Sequence, residues 1–418
     1  MKKDSWMIKN KECRMCPSTN FGRVIDFGYN PLVNSLLEQE DLEKSEPVFP
    51  LIVKRCKQCS LVQIQEIVDS YKIYRKQDYL YFSGEMPGLA DYFSEYADDL
   101  NKRFLQDESG KKKFVVEIGS NDGTMLQFFK SHCNVLGVDP STNVVVRALK
   151  NGITTLSDFF TERLAKNILK ENGPADLIYG NNCIAHLNDL RDLMRGVSLL
   201  LKDGGTFVVE CNYWGGMVKN KNYALIYHDH FSYFTLKNWA DFAPKYGLGV
   251  FDAIVTPAQG GSLRVFMQKA KNPAMTERCK KLYNEEMETK LNSQQICDIY
   301  RRQVLYQAKR LHNIVEKIRF RFRKKVAGYG AAAKGFSVLK LAELDYKYLD
   351  YFVDDSPAKQ GKYTPVDHIP VISRAEAEKQ LPDYFFITAP NYEKQIIEKE
   401  KAFIEKGGKF ITCDGRVI

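Results

Sequence analysis

The sequence predicts an α/β protein in which a small metal-stapled module precedes two units of strand, glycine-rich turn and helix. Three observations carry that prediction. Two Cys-x-x-Cys pairs lie near the N-terminus, the run Lys113-Phe-Val-Val-Glu-Ile-Gly-Ser-Asn-Asp-Gly joins a buried-strand pattern to a glycine turn, and Lys325-Val-Ala-Gly-Tyr-Gly-Ala-Ala-Ala-Lys-Gly repeats the pattern later. A chain of 418 residues has room for more than one core of ordinary domain size, roughly 100 to 150 residues. With 44% hydrophobic residues, 25 Phe and 23 Tyr, it has enough apolar material to fill them, which excludes a disordered chain. The divisions read from the pattern are a zinc module over 1–70, a central domain with its helical lead-in over 71–270, a helical connector over 271–320, and a second α/β domain over 321–418.

The pairs Cys13/Cys16 and Cys56/Cys59 each put two thiolates on one tight turn. Together they supply the four sulfurs of a closed, structural Zn2+ site, with no His or carboxylate among them that would mark an open catalytic position. A four-Cys ribbon can also read nucleic acid, and the net charge is +9. Between the knuckles, however, runs the acidic stretch Glu38 to Glu46, a poor surface for a phosphate backbone, so no nucleic-acid partner is expected. The charge excess favours a phosphorylated or nucleotide ligand. The N-terminus MKKDSWMIKNKEC lacks the apolar core of a signal peptide and no apolar run approaches the ~20 residues of a bilayer span, so a cytoplasmic protein without a membrane partner is expected.

A helical stretch from about Val68 to Leu105, interrupted at Pro87, leads into the first strand of the central domain. Its turn reads Glu117-x-Gly119-x-x-x-Gly123, with Asn121 and Asp122 inside it. This departs from the Gly-x-Gly-x-x-Gly that cradles a diphosphate; an acidic, glycine-poor loop suits the amino-acid end of S-adenosylmethionine better. Asp139 ends the second strand, where a carboxylate can accept from both ribose hydroxyls. Asp158 and Phe159 then offer a carboxylate and an aromatic face for adenine, and Asn181 ends the fourth strand on the ligand-binding edge.

The densest cluster of titratable groups is Tyr227-His228-Asp229-His230, which holds two of only six His. From Cys13 to the end, the chain resembles the three-part sugar C-methyltransferases that build branched-chain deoxysugars. The matching stretches are the two Cys pairs, Asp78-Tyr-Leu-Tyr-Phe-Ser83, Glu117-Ile-Gly-Ser-Asn-Asp-Gly, Asn181-Asn182 with His186, Tyr227-His-Asp-His230 with Ser232-Tyr-Phe, Gly260-Gly-Ser-Leu-Arg264, Gly328 to Gly335, and Lys359 to Pro365. The resemblance implies a zinc-binding domain, a central class I S-adenosylmethionine-dependent methyltransferase fold and a C-terminal Rossmann-like domain. It implies as substrate a nucleotide-linked 4-keto sugar carrying dTDP, CDP or GDP.

The resemblance makes His230 the general base that removes a proton from C3, places Tyr227 and Asp229 beside it, and puts His186 where a donor would meet the enolate oxygen. Tyr79 and Tyr81 fall in a stretch that covers the substrate. The family more often carries Glu at 229 and His at 259, where this chain has Asp229 and Gln259. Arg264 either meets a phosphate or pairs inside the protein. In the C-terminal domain Tyr329, Lys334 and Lys359 are the expected contacts to the nucleotide sugar, and no separate NAD site is expected, because Ala333 replaces the third glycine of the dinucleotide fingerprint. Methyl transfer to an oxygen or nitrogen of a sugar is the competing reading, with a zinc-ribbon nucleic-acid binder behind it.

Overall fold

The computed structural model describes residues 6–418 except 33–34, 76–78, 80, 87, 107–109 and 271–272. The N-terminal module is a four-stranded antiparallel sheet. Phe21–Asn30 pairs with Phe49–Cys56, which pairs with Val62–Ile64. Along Phe49–Cys56 the side chains of Phe49, Leu51 and Val53 alternate inward, the period-two pattern of a half-buried strand. Its fourth strand is Ser232–Tyr233, which comes from the far end of the Tyr227–His230 cluster and pairs with Gln63 and Val62. The module is thus completed by a segment of the next domain.

The central sheet has seven strands in the order Gly249–Thr256, Ser262–Gln268, Leu201–Asn212, Ala175–Asn181, Phe114–Ile118, Asn134–Val138 and Thr155–Leu156. The last five are parallel, and Ser262–Gln268 runs antiparallel to both of its neighbours. Phe114–Ile118 is buried throughout, as a central parallel strand covered on both faces must be. One face carries the helices Glu162–Asn172 and Leu190–Leu200, started by Thr161 and Asp189 accepting from backbone N–H groups. The other is covered by Leu89–Leu100, whose Phe93, Tyr96 and Leu100 join Val115, Leu177, Tyr179, Val208 and Phe266 in one core.

The lead-in is not one interrupted helix. Ser70–Arg75 is a short helix, and a strap in which Tyr79, Tyr81 and Phe82 are non-helical and Ser83–Glu85 makes a single 3-10 turn precedes Leu89–Leu100. Asn121 holds the strap, accepting from the Ser83 N–H (2.9 Å) and donating to the Tyr81 carbonyl (3.0 Å), while Asp122 accepts from the Gly84 N–H (2.9 Å). The segment read as one connecting helix is also two, Glu277–Glu288 and Gln294–Glu316. Lys290 takes a left-handed φ of 54° and Ser293 caps the second helix by accepting from the Ile296 N–H, so local turn chemistry overrides a continuous apolar period.

The C-terminal sheet is five-stranded and wholly parallel, ordered Val371–Ile372, Phe352–Val353, Val326–Tyr329, Tyr384–Ile387 and Lys409–Ile411. It is tied back to the N-terminal module: the Leu37 and Tyr363 backbones bridge, Lys362 pairs with Glu38 (2.9 Å), and His368 Nε2 meets Glu46 (2.6 Å). Among the described residues no helix is long and apolar enough to cross a membrane.

Candidate active site

The four cysteine sulfurs lie within 4.8 Å of one another, with Cys13 Sγ 3.4 Å from Cys59 Sγ and Cys16 Sγ 3.6 Å from Cys56 Sγ. Four sulfurs held ~2.3 Å from one tetrahedral ion would stand about 3.8 Å apart, so this set fits Zn2+. The Gln63 side chain donates to Cys13 Sγ (3.0 Å) and the Cys59 N–H to Cys56 Sγ (3.5 Å), which suits thiolates rather than thiols. With all four positions filled by protein, the ion would be structural.

At the carboxyl edge of the central sheet, Gly119 turns the chain with φ 69°, and a Cβ there would stand 2.4 Å from Cys183 Cβ. A Cβ on Gly123 (φ 79°) would meet Ile153 at 2.9 Å, so neither position admits a side chain. Asp139 accepts from the N–H groups of Asn121 (3.0 Å) and Ser141 (2.9 Å), one on each oxygen, and burial pushes its carboxyl up to about 6. Glu117 is buried beneath the loop, receives the Tyr179 hydroxyl (3.2 Å), and is held by burial well above the usual carboxylate range. Asp158 accepts from the Phe159 N–H and pairs with Arg163 (3.3 Å), leaving Phe159 half-buried beside it. Asn181 Oδ1 and Ser120 Oγ are buried with no hydrogen-bond partner among the described residues. Unfilled acceptors, a carboxylate at the second strand's end and a glycine cradle fit the polar atoms of S-adenosylmethionine.

The second half of the site gathers side chains from all three parts. His230 Nδ1 lies 2.6 Å from the Leu225 carbonyl and 3.0 Å from the Asn212 amide; Nε2 lies 2.9 Å from the Tyr227 hydroxyl. A proton on Nδ1 serves the carbonyl and leaves the Nε2 lone pair toward Tyr227, a tautomer assigned from its partners. Burial, then His186 and Lys334, hold the imidazole well below its ordinary range, so it rests neutral. The His186 ring centre is 5.0 Å away. Its Nδ1 lies 2.6 Å from the Tyr74 hydroxyl, its Nε2 is buried without a partner among the described residues, and burial lowers it to about 4.

Asp229 is buried without a hydrogen bond or ion pair among the described residues, and burial pushes its carboxyl up to about 7. It faces Tyr74, Tyr79 and Tyr227, whose phenols are raised far above their usual value by burial first and this carboxyl next. His228 turns the other way, its ring edge-on to Phe49 of the zinc module at 6.0 Å. Across the cleft Lys334 donates to Gln259 Oε1 (3.1 Å), whose amide donates to the Tyr81 hydroxyl (3.3 Å). Burial brings the Lys334 ammonium down to about 8. The arrangement brings together a neutral base, a second imidazole with an unfilled nitrogen and a buried cation.

Family models match three consecutive stretches: a zinc binding domain over residues 13–74, a methyltransferase domain over 89–252, and a C-methyltransferase C-terminal domain over 257–413. The chain is 33% identical over 406 residues to C-methyltransferase NovU of Streptomyces niveus, covering 96% of this chain and 94% of that one. This chain belongs to the C-methyltransferase family. It is an S-adenosylmethionine-dependent C-methyltransferase with a four-Cys zinc site. Solved structures with similarity include an S-adenosylmethionine-dependent methyltransferase from Clostridium acetobutylicum (11% identity, 48% of this chain and 97% of that one, TM-score 0.35). Another is magnesium protoporphyrin IX methyltransferase from Synechocystis with bound SAH (12% identity, 44% and 84%, TM-score 0.35).

Of the two alternatives for Arg264 the internal pair is the one seen, and two expected substrate contacts, Tyr329 and Lys359, are otherwise engaged. Arg264 does not face a phosphate: its guanidinium donates to Glu210 (2.9 Å) and the Tyr92 hydroxyl (2.7 Å) and lies 3.1 Å over the Tyr96 ring. Removing one partner of such a buried pair costs about 3 to 5 kcal/mol, so its role is to hold the sheet to its covering helix. Tyr329 points into the C-terminal core, where its hydroxyl donates to Glu400 (2.8 Å), because strand alternation turns it away from the cleft. Lys359 donates to Asp354 (3.0 Å) and the Ala331 carbonyl (3.1 Å), bracing the glycine loop from behind. Of the Asp78–Ser83 motif, Asp78 and Leu80 lie outside the described residues. The structure adds Tyr74, Asn212 and Leu225 to the site. Only Tyr74 left a trace in the sequence, as one of several lead-in aromatics.

Proposed function

We propose that the methyl acceptor is C3 of a nucleotide-linked 4-keto-deoxyhexose, with the nucleotide carried by dTDP, CDP or GDP. The observation that carries this reading is the facing pair His230 and His186, a neutral base and a second imidazole with an unfilled nitrogen at 5.0 Å, both desolvated by burial. Abstraction of a proton next to a carbonyl needs both a base for the proton and a donor for the enolate oxygen, whereas methylation of a hydroxyl or amine needs no second group.

His230 takes the C3 proton at Nε2 and passes its positive charge toward the Leu225 carbonyl through Nδ1–H. His186 meets the enolate oxygen, and Tyr227 steadies the base. Lys334, cationic or poised to become so on meeting an anion, faces the diphosphate or the developing enolate charge. Tyr79 and Tyr81 on the strap cover the sugar, and Asp229 lies buried among Tyr74, Tyr79 and Tyr227. S-adenosylmethionine supplies an electrophilic methyl when bound; Gly119, Asn121, Asp122, Gly123, Asp139, Asp158, Phe159 and Asn181 are the residues that would hold it, above Glu117. The proposed compartment is the cytoplasm, where the four clustered thiols stay reduced as zinc ligands.

The test is exchange of the C3 hydrogen in deuterated water, followed by NMR and mass, over dTDP-, CDP- and GDP-linked 4-keto-6-deoxyhexoses with and without the methyl donor. Donor-dependent gain of a C3 methyl on one of them is expected, falling about 100-fold or more in His230→Ala. Methylation at an oxygen or nitrogen, or C3 methylation undiminished in His230→Ala, would overturn the reading.

A further inference from the structure

The two active-site histidines are held through their Nδ1 atoms by groups of opposite character. His230 Nδ1 faces a carbonyl, Leu225, which can only accept. His186 Nδ1 faces a phenol, Tyr74, at 2.6 Å, with the two rings stacked at 22°. Tyr74 is buried, and among the described residues its hydroxyl has this nitrogen as its sole hydrogen-bond partner. Asp229 faces the same hydroxyl without hydrogen-bonding to it. A buried phenol O–H with one acceptor in reach donates to it.

We infer that Tyr74 is a positioning residue that fixes His186 as the Nε2–H tautomer, so that the two histidines stand in opposite tautomers, one offering a proton and the other a lone pair. The Tyr74 proton stays on its oxygen and points at His186 Nδ1. The imidazole proton is thereby placed on Nε2, the atom that is buried with no partner of its own. Were the proton on Nδ1, it would point at the Tyr74 oxygen and Nε2 would be a second lone pair opposite the base, unable to meet an enolate oxygen. Tyr74 lies in the last turn of the short lead-in helix Ser70–Arg75, so the segment that links the zinc module to the central domain sets the protonation pattern of a histidine that lies 112 residues away in sequence. The tautomer claim is a property of the resting protein; only its catalytic consequence rests on the carbon-acid reading above.

The test uses the full-length zinc-loaded protein with 13C,15N-labelled histidine. The His186 resonances, identified by their loss in His186→Gln, are expected to show a protonated Nε2 and a bare Nδ1, and in Tyr74→Phe a mixture of the two forms. With zinc content and S-adenosylmethionine affinity unchanged, Tyr74→Phe should lower kcat about 10- to 100-fold with KM little altered, the range for losing a group that orients a histidine. His186→Gln, which keeps an N–H donor at that place, should retain more activity than His186→Ala, and adding Tyr74→Phe to it should cost little more. A proton on Nδ1 of His186 in the wild type would overturn the inference. So would an unchanged His186 spectrum in Tyr74→Phe, and if that variant does not fold, the wild-type spectrum decides alone. An Nε2–H tautomer in a protein that methylates no keto sugar would sustain the inference and remove the acceptor reading.

Discussion

The two glycine loops of this C-methyltransferase are built almost identically and used differently. In the central domain the Gly119 N–H donates to the Val138 carbonyl (2.8 Å), and Asp139 accepts from Asn121 in the loop and Ser141 beyond it. In the C-terminal domain the Gly330 N–H donates to the Val353 carbonyl (2.6 Å), and Asp354 accepts from Ala331 in the loop (2.8 Å) and Ser356 beyond it (2.9 Å). The difference is one cation. Lys359 sits on Asp354 at 3.0 Å, so the carboxylate that could have received ribose hydroxyls is spent inside the protein. Behind the loop, a Cβ on Gly335 would stand 2.2 Å from Thr388 Cβ, so the start of the following helix packs directly on the end of the next strand. The second loop carries Lys334 across to its neighbour's site.

The largest effect should come from outside both loops. A structural zinc site contributes folding free energy on the order of 10 kcal/mol. In Cys56→Ser, loss of zinc by elemental analysis should abolish methyl transfer and raise hydrogen exchange across residues 225–234. S-adenosylmethionine binding by calorimetry should persist, because the central loop belongs to another sheet; its disappearance would show that the loops are not independent of the module. Next, Asp139→Ala should weaken S-adenosylmethionine about 100-fold, as hydrogen bonds to a charged group are worth ~1.5 to 3 kcal/mol each. Asp354→Ala should leave that affinity unchanged, and equal losses in the two variants would erase the distinction drawn between the loops.

The smallest effect is on pH dependence. Burial raises the Asp139 carboxyl to about 6, so below that pH it is neutral and a weaker acceptor for the ribose hydroxyls proposed to meet it. Affinity for S-adenosylmethionine should therefore weaken as pH falls through 6, by about tenfold at pH 5 relative to pH 7, and Asp139→Asn should flatten that slope. The sign for folding is opposite: an acid raised in the native state favours folding while protonated, and that contribution is lost as pH rises from about 4 through 6. Titrating affinity and melting temperature on the same samples separates the two.

What the sequence disclosed was local in character. A Cys-x-x-Cys pair carries its own geometry, a strand such as Phe114–Ile118 is apolar because both faces are covered, and Gly119 is needed wherever φ must be positive. What stayed hidden depends on partners far along the chain. Arg264 leaves a phosphate contact and an internal pair both open until Glu210 and Tyr92 are brought against it from two other elements. Tyr329 and Lys334 stand five residues apart on one motif, yet strand alternation buries the first in a core with Glu400 while the helix start turns the second into the cleft. Tyr74 is one aromatic among several until the fold sets it on His186. The break between Glu277–Glu288 and Gln294–Glu316 was masked because both helices keep apolar residues in phase across it.

The pairing of Ser232–Tyr233 with Gln63 and Val62 has a consequence for how such proteins can be inherited. The zinc module cannot be traded between relatives like a bead on a string. Its sheet lacks an edge without the catalytic loop, and that loop lacks its backrest without the module. A recombinant joining one enzyme's first seventy residues to another's remainder would need both halves to agree on a two-residue seam. Parts of the chain that look modular by their order are therefore expected to have diverged as one lineage.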